Sequence, residues 1–356
     1  MLLKIFLILF CLTGCAKLSY LTEQSVQQMR LQWRGRPNEE VLKDPKISED
    51  EKRKIILVGE YKKFFYHYFG KKETKIYTKT SFLDHKAVTY LVIASPHTKI
   101  EAHEFEFPFV GSFPYIGFFK KDSAKEFAKD LEKEDLVTWV RPVYAYSTLG
   151  YLEDRILSSF FEYTDVELAE LIFHELFHTI FFVDSEVDLN ENLASLFARE
   201  LLFEYYKDRD ELKTFLKLEE KKKLVNQRIV ELIGILQTEF AKLGGFITKE
   251  TGDEMTRRFV TEIFMPEIKG MCLKLEIPND ECELKGDWNQ AAFAAFLTYE
   301  EDQKFLEKLR LDLKLNIKDF FSWLKLELKE FEKNKKFDSL TDQLKSKVSH
   351  APAPTH

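Results

Sequence analysis

The sequence is short of three things, and each shortage closes off a class of protein. It has no excess of basic charge: 53 Lys and Arg stand against 60 Asp and Glu, giving a net charge of −7. A general nucleic-acid binder carries a basic stripe, so nucleic acid is not an expected partner. Cysteine is scarce, four in 356 residues, too few for a fold built on disulfides. Long hydrophobic runs are missing as well. The most prominent, Ile5 to Leu12, is too short to cross a bilayer. No internal repeat is found.

What remains suits a soluble globular body, with 45% apolar and 32% charged residues. A chain of this length can bury a sizeable core as one large domain or two smaller ones. The 33 Phe are mostly interleaved with Lys and Glu, a pattern of amphipathic helices and not of a base-stacking surface.

The N-terminus has its own logic. Met1 to Lys4 carries one positive charge and leads into the apolar run, the pattern of a secretory signal. The run ends in Leu12-Thr13-Gly14-Cys15, which is similar to the lipobox of bacterial lipoproteins. In those proteins the chain is cut before the cysteine, and the cysteine is acylated. An ordinary signal peptide, or a buried strand with an incidental Cys, is the alternative. The small residues directly before Cys15 favour the lipobox, and several acyl chains anchor stably where one does not. Ala16 and Lys17 supply no acidic retention signal. The expectation is an exported protein, lipid-anchored to the bacterial outer membrane and facing the periplasm. Only Cys272 and Cys282 then remain in the folded body, flanking Pro278-Asn279-Asp280; a disulfide and two buried thiols both fit.

Along the body, Tyr20 to Trp33 has helical apolar spacing. Ser48 with Glu51 forms a capping-box pattern that opens a second helix, ending at Gly70. Ala87 to Ala94 and Leu136 to Val140 read as strands, and Phe105 to Phe119 as strand-like pieces around a turn. Ser123 to Lys133 is a short helix between them. Zinc peptidases often set a strand beside the active-site helix for an extended substrate, although a purely structural sheet is the stronger explanation of this region. The rest is helical and polar, with helices over 210–243, 251–265, 287–297, 302–313 and 317–331.

The chemistry concentrates in His174-Glu175-Leu176-Phe177-His178. Chance puts such a pentad in a chain of this composition on the order of two times in a hundred. Thr164 and Glu167 form a capping box that starts its helix, and apolar residues continue to Val183. Histidines four apart share one helix face, so their imidazoles can converge on one ion. Glu175 is turned away by about 100° and suits the general-base role towards water instead. A short polar turn, Asp184 to Asp188, then makes Asn190 to Tyr206 an antiparallel neighbour and brings Glu191 back as third ligand. Ala194, Ser195 and Ala198 on that face permit close approach. Three protein ligands leave a fourth position open, the catalytic zinc pattern. The competing readings are that Glu191 only caps its helix with Asp188, or that Asp184, Glu186 or Asp188 takes its place.

These blocks together resemble a group of bacterial lipoproteins described as predicted zinc aminopeptidases, gluzincin-like. The likeness takes in Gly14-Cys15 and Leu18-Ser-Tyr-Leu21, then Phe109 to Phe119 with its Pro-Tyr-Ile-Gly-Phe-Phe end, and Ala145-Tyr-Ser-Thr-Leu-Gly150. The zinc pentad with Asn190-Glu191 follows, and Asn289 to Tyr299 closes the match. The resemblance implies one Zn2+, a peptide substrate and aminopeptidase action; exopeptidase specificity rests on it alone. There are departures. The family has Ala-His-Gln where this chain has Phe177-His178-Thr179, and a Glu where this chain has Ala198.

The expected fold is α+β and predominantly α-helical. A small sheet in the N-terminal half packs on a zincin-like helical hairpin, and a helical C-terminal half follows. Residues 1–14 form the signal and 15–335 a single zinc-peptidase domain, with sheet and leading helices in 15–150, metal hairpin in 151–210 and helical half in 211–335. Residues 336–356 form a flexible tail. The expected site is His174, His178 and Glu191 on zinc, Glu175 as catalytic base, Tyr146 and Tyr299 as oxyanion donors, and Cys15 as lipid attachment. The alternative is an inactive zincin-like lipoprotein that acts as a binding or scaffolding module.

Overall fold

Capping chemistry decides where the first helices begin. A computed structural model of the chain describes residues 20–107, 111–145, 153–184, 186–244, 247–282, 286–298, 303–334 and 336–348. Helix α1 runs over 20–33, followed by β1 (Arg36–Pro37), α2 (Asn38–Lys43) and α3 (Glu49–Tyr68). At the start of α3, Ser48 accepts from the Glu51 backbone while Glu51 accepts from the Ser48 backbone. This is the reciprocal box read from the sequence.

Two small three-stranded sheets and a hairpin fill the rest of the N-terminal half. In the first sheet, β2 (Lys79–Ser81) pairs antiparallel with β1 and parallel with β8 (Ile156–Leu157). In the second, β3 (Thr89–Pro96) lies between β6 (Ile116–Phe118) and β7 (Leu136–Val143), antiparallel to both. Side chains alternate along β3. Tyr90, Val92 and Ala94 pack on Ala124, Ala128 and Leu131 of α4 (Lys121–Lys133). Leu91 and Ile93 pack on Ala291 and Ala295 of α10 (Gln290–Thr298). Both faces of the sheet are therefore covered. Strand β4 (Phe105–Phe107) pairs with β5 (Gly111–Phe113) as a separate hairpin.

The helical remainder comprises α5 (Asp165–His178), α6 (Val187–Tyr205), α7 (Asp210–Leu243), α8 (Lys249–Phe259), α9 (Met265–Lys274), α11 (Gln303–Asp312), α12 (Ile317–Asn334) and α13 (Leu340–Val348). The α+β, predominantly helical expectation holds. The main core joins α3, α5, α6 and the last three helices with β8. Its centre is aromatic: Phe177 stacks on Phe197 at 4.3 Å between centroids, and Phe197 stacks on Phe320 at 6.0 Å. A second core joins α7 to α10 and includes Cys272 and Cys282. These two cysteines are paired, S–S 2.01 Å. Between α8 and α9 one π-helical segment, Val260–Phe264, precedes Pro266. Proline lacks an N–H and its ring clashes with a regular α turn, and a wider turn accommodates both. Helix α8 presses on the end of β3 at Gly252, where a Cβ would lie 2.1 Å from the His97 carbonyl oxygen. Only glycine fits that contact.

Three expectations are corrected. Helix α5 ends at His178 and not at Val183, because Thr179 and Ile180 turn their N–H groups to Leu176 and Phe177 and tighten the last turn. Helix α6 starts at Val187, three residues before Asn190, and Asp188 does not cap it. Residues 340–348, expected within a flexible tail from 336, form α13. Its first backbone N–H groups, at Leu340 and Thr341, donate to the Glu186 carboxylate, and Leu340 and Leu344 are fully buried. A carboxylate at a helix N-terminus is favourable, but this one arrives from 154 residues away, beyond any local pattern.

The start of α5 is tied to α3 by charge. Asp165 pairs with Arg53 at 2.5 Å and with the buried Lys54 at 2.9 Å, and Lys54 also donates to the Tyr163 carbonyl. Burial works to raise the Asp165 carboxyl, but Arg53 and Lys54 hold it below the usual range. The pairing therefore stabilises the fold above the carboxyl's unfolded pKa near 3.9 and fades as pH falls below it. Asp165→Asn is expected to cost about 1–2 kcal/mol at pH 7, since it leaves a buried ammonium short of its counter-charge. Denaturant melts should show this loss at pH 7 and its disappearance near pH 2. An equal loss at both pH values would refute the electrostatic account.

Candidate metal centre

Histidines four residues apart lie one above the other on a helix. At the end of α5 the Nε2 atoms of His174 and His178 come within 3.2 Å of each other, their rings edge to face. The third member is placed by its neighbour. The buried Asn190 side chain accepts from the Val183 N–H at 2.8 Å and donates to the Val183 carbonyl at 2.7 Å. This two-point clamp closes the turn between α5 and α6. It leaves Glu191 facing α5, with Oε2 3.2 Å from His174 Nε2 and Oε1 3.5 Å from His178 Nε2.

The donor set fits a tetrahedral cation. Ligands about 2.0–2.2 Å from zinc define tetrahedron edges of roughly 3.3–3.6 Å. The Nε2–Nε2 separation and the His174–Glu191 Oε2 separation, both 3.2 Å, are close to such edges, while His178 is 3.5 Å from the other Glu191 oxygen. Among the described residues, His174, His178 and Glu191 are the one group of three potential ligands whose donor atoms lie within 4.8 Å of one another. Among the described residues no fourth protein donor joins them. His178 is almost wholly buried, while the Glu191 side chain is 55% exposed, so the free side of the site faces solvent.

Electrostatics favour a cation there. Burial pushes His178 down to about 4, which keeps its imidazole neutral and its lone pair available. At His174 burial acts in the same direction, but the hydrogen bond to Glu191 and the carboxylates of Glu175, Glu191 and Glu170 outweigh it and raise the pKa. Burial works to raise Glu191, yet the two histidines hold its carboxyl below the usual range. Two imidazoles among three carboxylates leave excess negative charge, of which Arg199 balances only Glu170, at 3.2 Å.

Glu175 is buried beside this group. Its carboxylate, together with burial as the larger cause, holds the Tyr77 hydroxyl well above its ordinary pKa, and it contributes in the same way at Tyr163. Neither tyrosine stands out in the sequence. Tyr77 adopts a left-handed backbone, φ 59°, uncommon for a bulky residue and frequent at functional sites. Ser195, read only as a small residue on the packing face, lies with its Oγ 3.4 Å from His174 Nδ1. Ala194 and Ala198 are fully buried in the hairpin contact. His178 Nδ1 is buried with no hydrogen-bond partner among the described residues. Tyr146, Tyr299 and Cys15 lie outside the described residues.

A helical hairpin that converges two imidazoles and a carboxylate beside a buried glutamate defines a class of candidate hydrolytic metal sites. More particularly, the chain belongs to the family described as "Putative aminopeptidase", which matches residues 19–340. No curated protein and no solved structure matches it significantly.

Proton and metal compete for His174. Because its pKa lies above 6.5, protonated His174 should block binding as pH falls through that range. Zinc affinity measured against a chelating dye is expected to weaken about tenfold per pH unit there, the signature of one displaced proton. An affinity constant from pH 8 to pH 6 would rule the three-ligand site out.

Proposed function

We propose that this member of the aminopeptidase family is a zinc-dependent peptidase whose ion is held by His174, His178 and Glu191. The observation that carries this reading is the convergence of one donor atom from each of the three residues, all within 4.8 Å of one another, beside the buried Glu175. Zinc in that position supplies Lewis acidity, polarising a scissile carbonyl and making water nucleophilic at neutral pH. The chain's own residues do the rest. Glu175 takes a proton from the attacking water at its carboxylate and returns it to the departing amine as the C–N bond breaks. The oxyanion that forms on the former carbonyl requires a donor, for which Tyr146 and Tyr299 are proposed. Tyr77 and Tyr163 bring further hydroxyls into the field of Glu175. Ser195 positions the His174 ring through Nδ1. Cleavage at the free amino end of a peptide is proposed on the strength of the family alone.

One observation favours a second reading, an inactive relative that binds or scaffolds. The buried Nδ1 of His178 has no acceptor among the described residues, and Ala198, where the resembling group carries Glu, cannot provide one. A ligand histidine without such support binds metal more weakly. Zinc content and turnover of amino-acid arylamides, measured for wild type and Glu175→Gln, separate the two readings. The peptidase reading expects stoichiometric zinc in both proteins and a loss of kcat of about 100-fold or more in the variant. Substoichiometric zinc and no turnover in the wild type sinks it.

We also propose that residues 1–14 are a cleaved signal and that acylated Cys15 tethers the mature protein to the outer membrane, site towards the periplasm. The reading is supported by the Leu12-Thr13-Gly14-Cys15 pattern. Among the described residues no helix is long and apolar enough to cross a membrane. Cys15→Ala should move the protein from the membrane to the soluble fraction, and unchanged membrane retention of this variant is the result that defeats acylation at Cys15.

A further inference from the structure

The hydrogen bonds that hold helix α1 to the described part of the body gather along one side. Tyr20 donates its hydroxyl to the Gly117 carbonyl at 2.8 Å, and Gln24 accepts from the Phe119 N–H at 3.1 Å. Glu23 accepts from Ser123 at 3.0 Å, and the Leu31 carbonyl accepts from Ser81 at 3.0 Å. These residues recur at helical spacing and turn the opposite side of α1 outward. That side carries Val26, Met29 and Trp33, exposed by 53, 49 and 78%, and Leu21, 56% exposed, lies at its edge. The exposed residues between 20 and 34 include Arg30 and Arg34 and no acidic residue, although the whole chain has a net charge of −7. Arg34 pairs with Asp84 at 2.6 Å.

We infer that the outward face of α1 lies on a lipid surface, with Trp33 and the neighbouring apolar side chains at the headgroup level. An amphipathic helix with arginines and a tryptophan beside its apolar stripe is the composition that settles in the interface plane. Chain length points to the same occupant. Four residues lie between Cys15 and Tyr20, and five extended steps cover at most about 18 Å. An acyl group on Cys15 therefore holds the bilayer within reach of α1 and of nothing at the far side of the body. This placement rests on the proposed acylation for proximity, while the helix face is a separate contact with its own signal.

The test uses the full chain, purified with its native processing and reconstituted in vesicles of phosphatidylethanolamine and phosphatidylglycerol with brominated acyl chains. Trp139, Trp288 and Trp323 also emit, so the Trp33 signal is the difference between wild type and Trp33→Phe. That signal is expected to shift to the blue and to lose about half its intensity to the brominated lipid. Replacing Val26 and Met29 together by Glu should restore it without altering the mass of the processed N-terminus. A lipidated chain whose Trp33 emits as in water, unquenched, overturns the inference. So does protection of Trp33 that follows protein concentration and not lipid, which would assign the face to a second copy of the chain. Mass analysis of the N-terminus reads the anchor independently: quenching without acylation refutes only the anchor, and acylation without quenching refutes only the helix contact.

Discussion

Two hydrogen bonds from one buried amide hold the candidate site together. Asn190 bonds both the N–H and the carbonyl of Val183, at the point where the chain has left α5 and not yet completed the first turn of α6. An amide is among the few side chains that can satisfy a donor and an acceptor of one residue at once. Loss of either contact leaves a buried backbone group unpaired, so the turn has one strongly preferred geometry. Glu191 follows Asn190 directly. Its approach to His174 and His178 is set by this clamp and by the small residues Ala194, Ser195 and Ala198 one and two turns further on.

The same loop reaches the other end of the chain. Glu186, just before α6, offers its carboxylate to the first N–H groups of α13 and to the Thr341 hydroxyl. The connection that orders Glu191 is thus held from inside by Asn190 and from outside by the terminal helix, whose Leu340 and Leu344 enter the main core. The last helix is structural support for the hairpin, which a reading of it as tail leaves out.

Much of this was legible in the sequence, where the signals were local. The boxes at Ser48/Glu51 and Thr164/Glu167 start α3 and α5 as read, and Asp210 to Leu243 is one helix with the expected ends. The pentad and Asn190-Glu191 identified the three residues that converge. The misses are long-range. The α13 cap comes from Glu186, and the end of α5 depends on a tightened turn within an apolar run that reads as continuing helix. Tyr77 enters the field of Glu175 through a left-handed backbone and tertiary burial, neither of which has a pattern in sequence. The cysteine pair lay between two readings because spacing alone does not fix a Cα–Cα separation; the fold sets it at 6.1 Å.

The order in which fold and site depend on each other distinguishes the kinds of metal centre. A structural zinc organises a chain too small to fold without it, so its ligands lie where there is little core. Here the ligand helices are already fixed by apolar contact, Phe177 on Phe197 and Phe197 on Phe320, immediately beside His178 and independent of any ion. The carboxylates of Glu191 and Glu175 favour the charged form of His174 against its burial, so the site attracts positive charge on a backbone that apolar packing already holds. Donors placed by the fold, with Glu191 on the exposed side and Glu175 buried beside them, suit the proposed site, whose fourth side is left for a ligand that comes and goes. A site built to hold the chain together has no need of the fourth side.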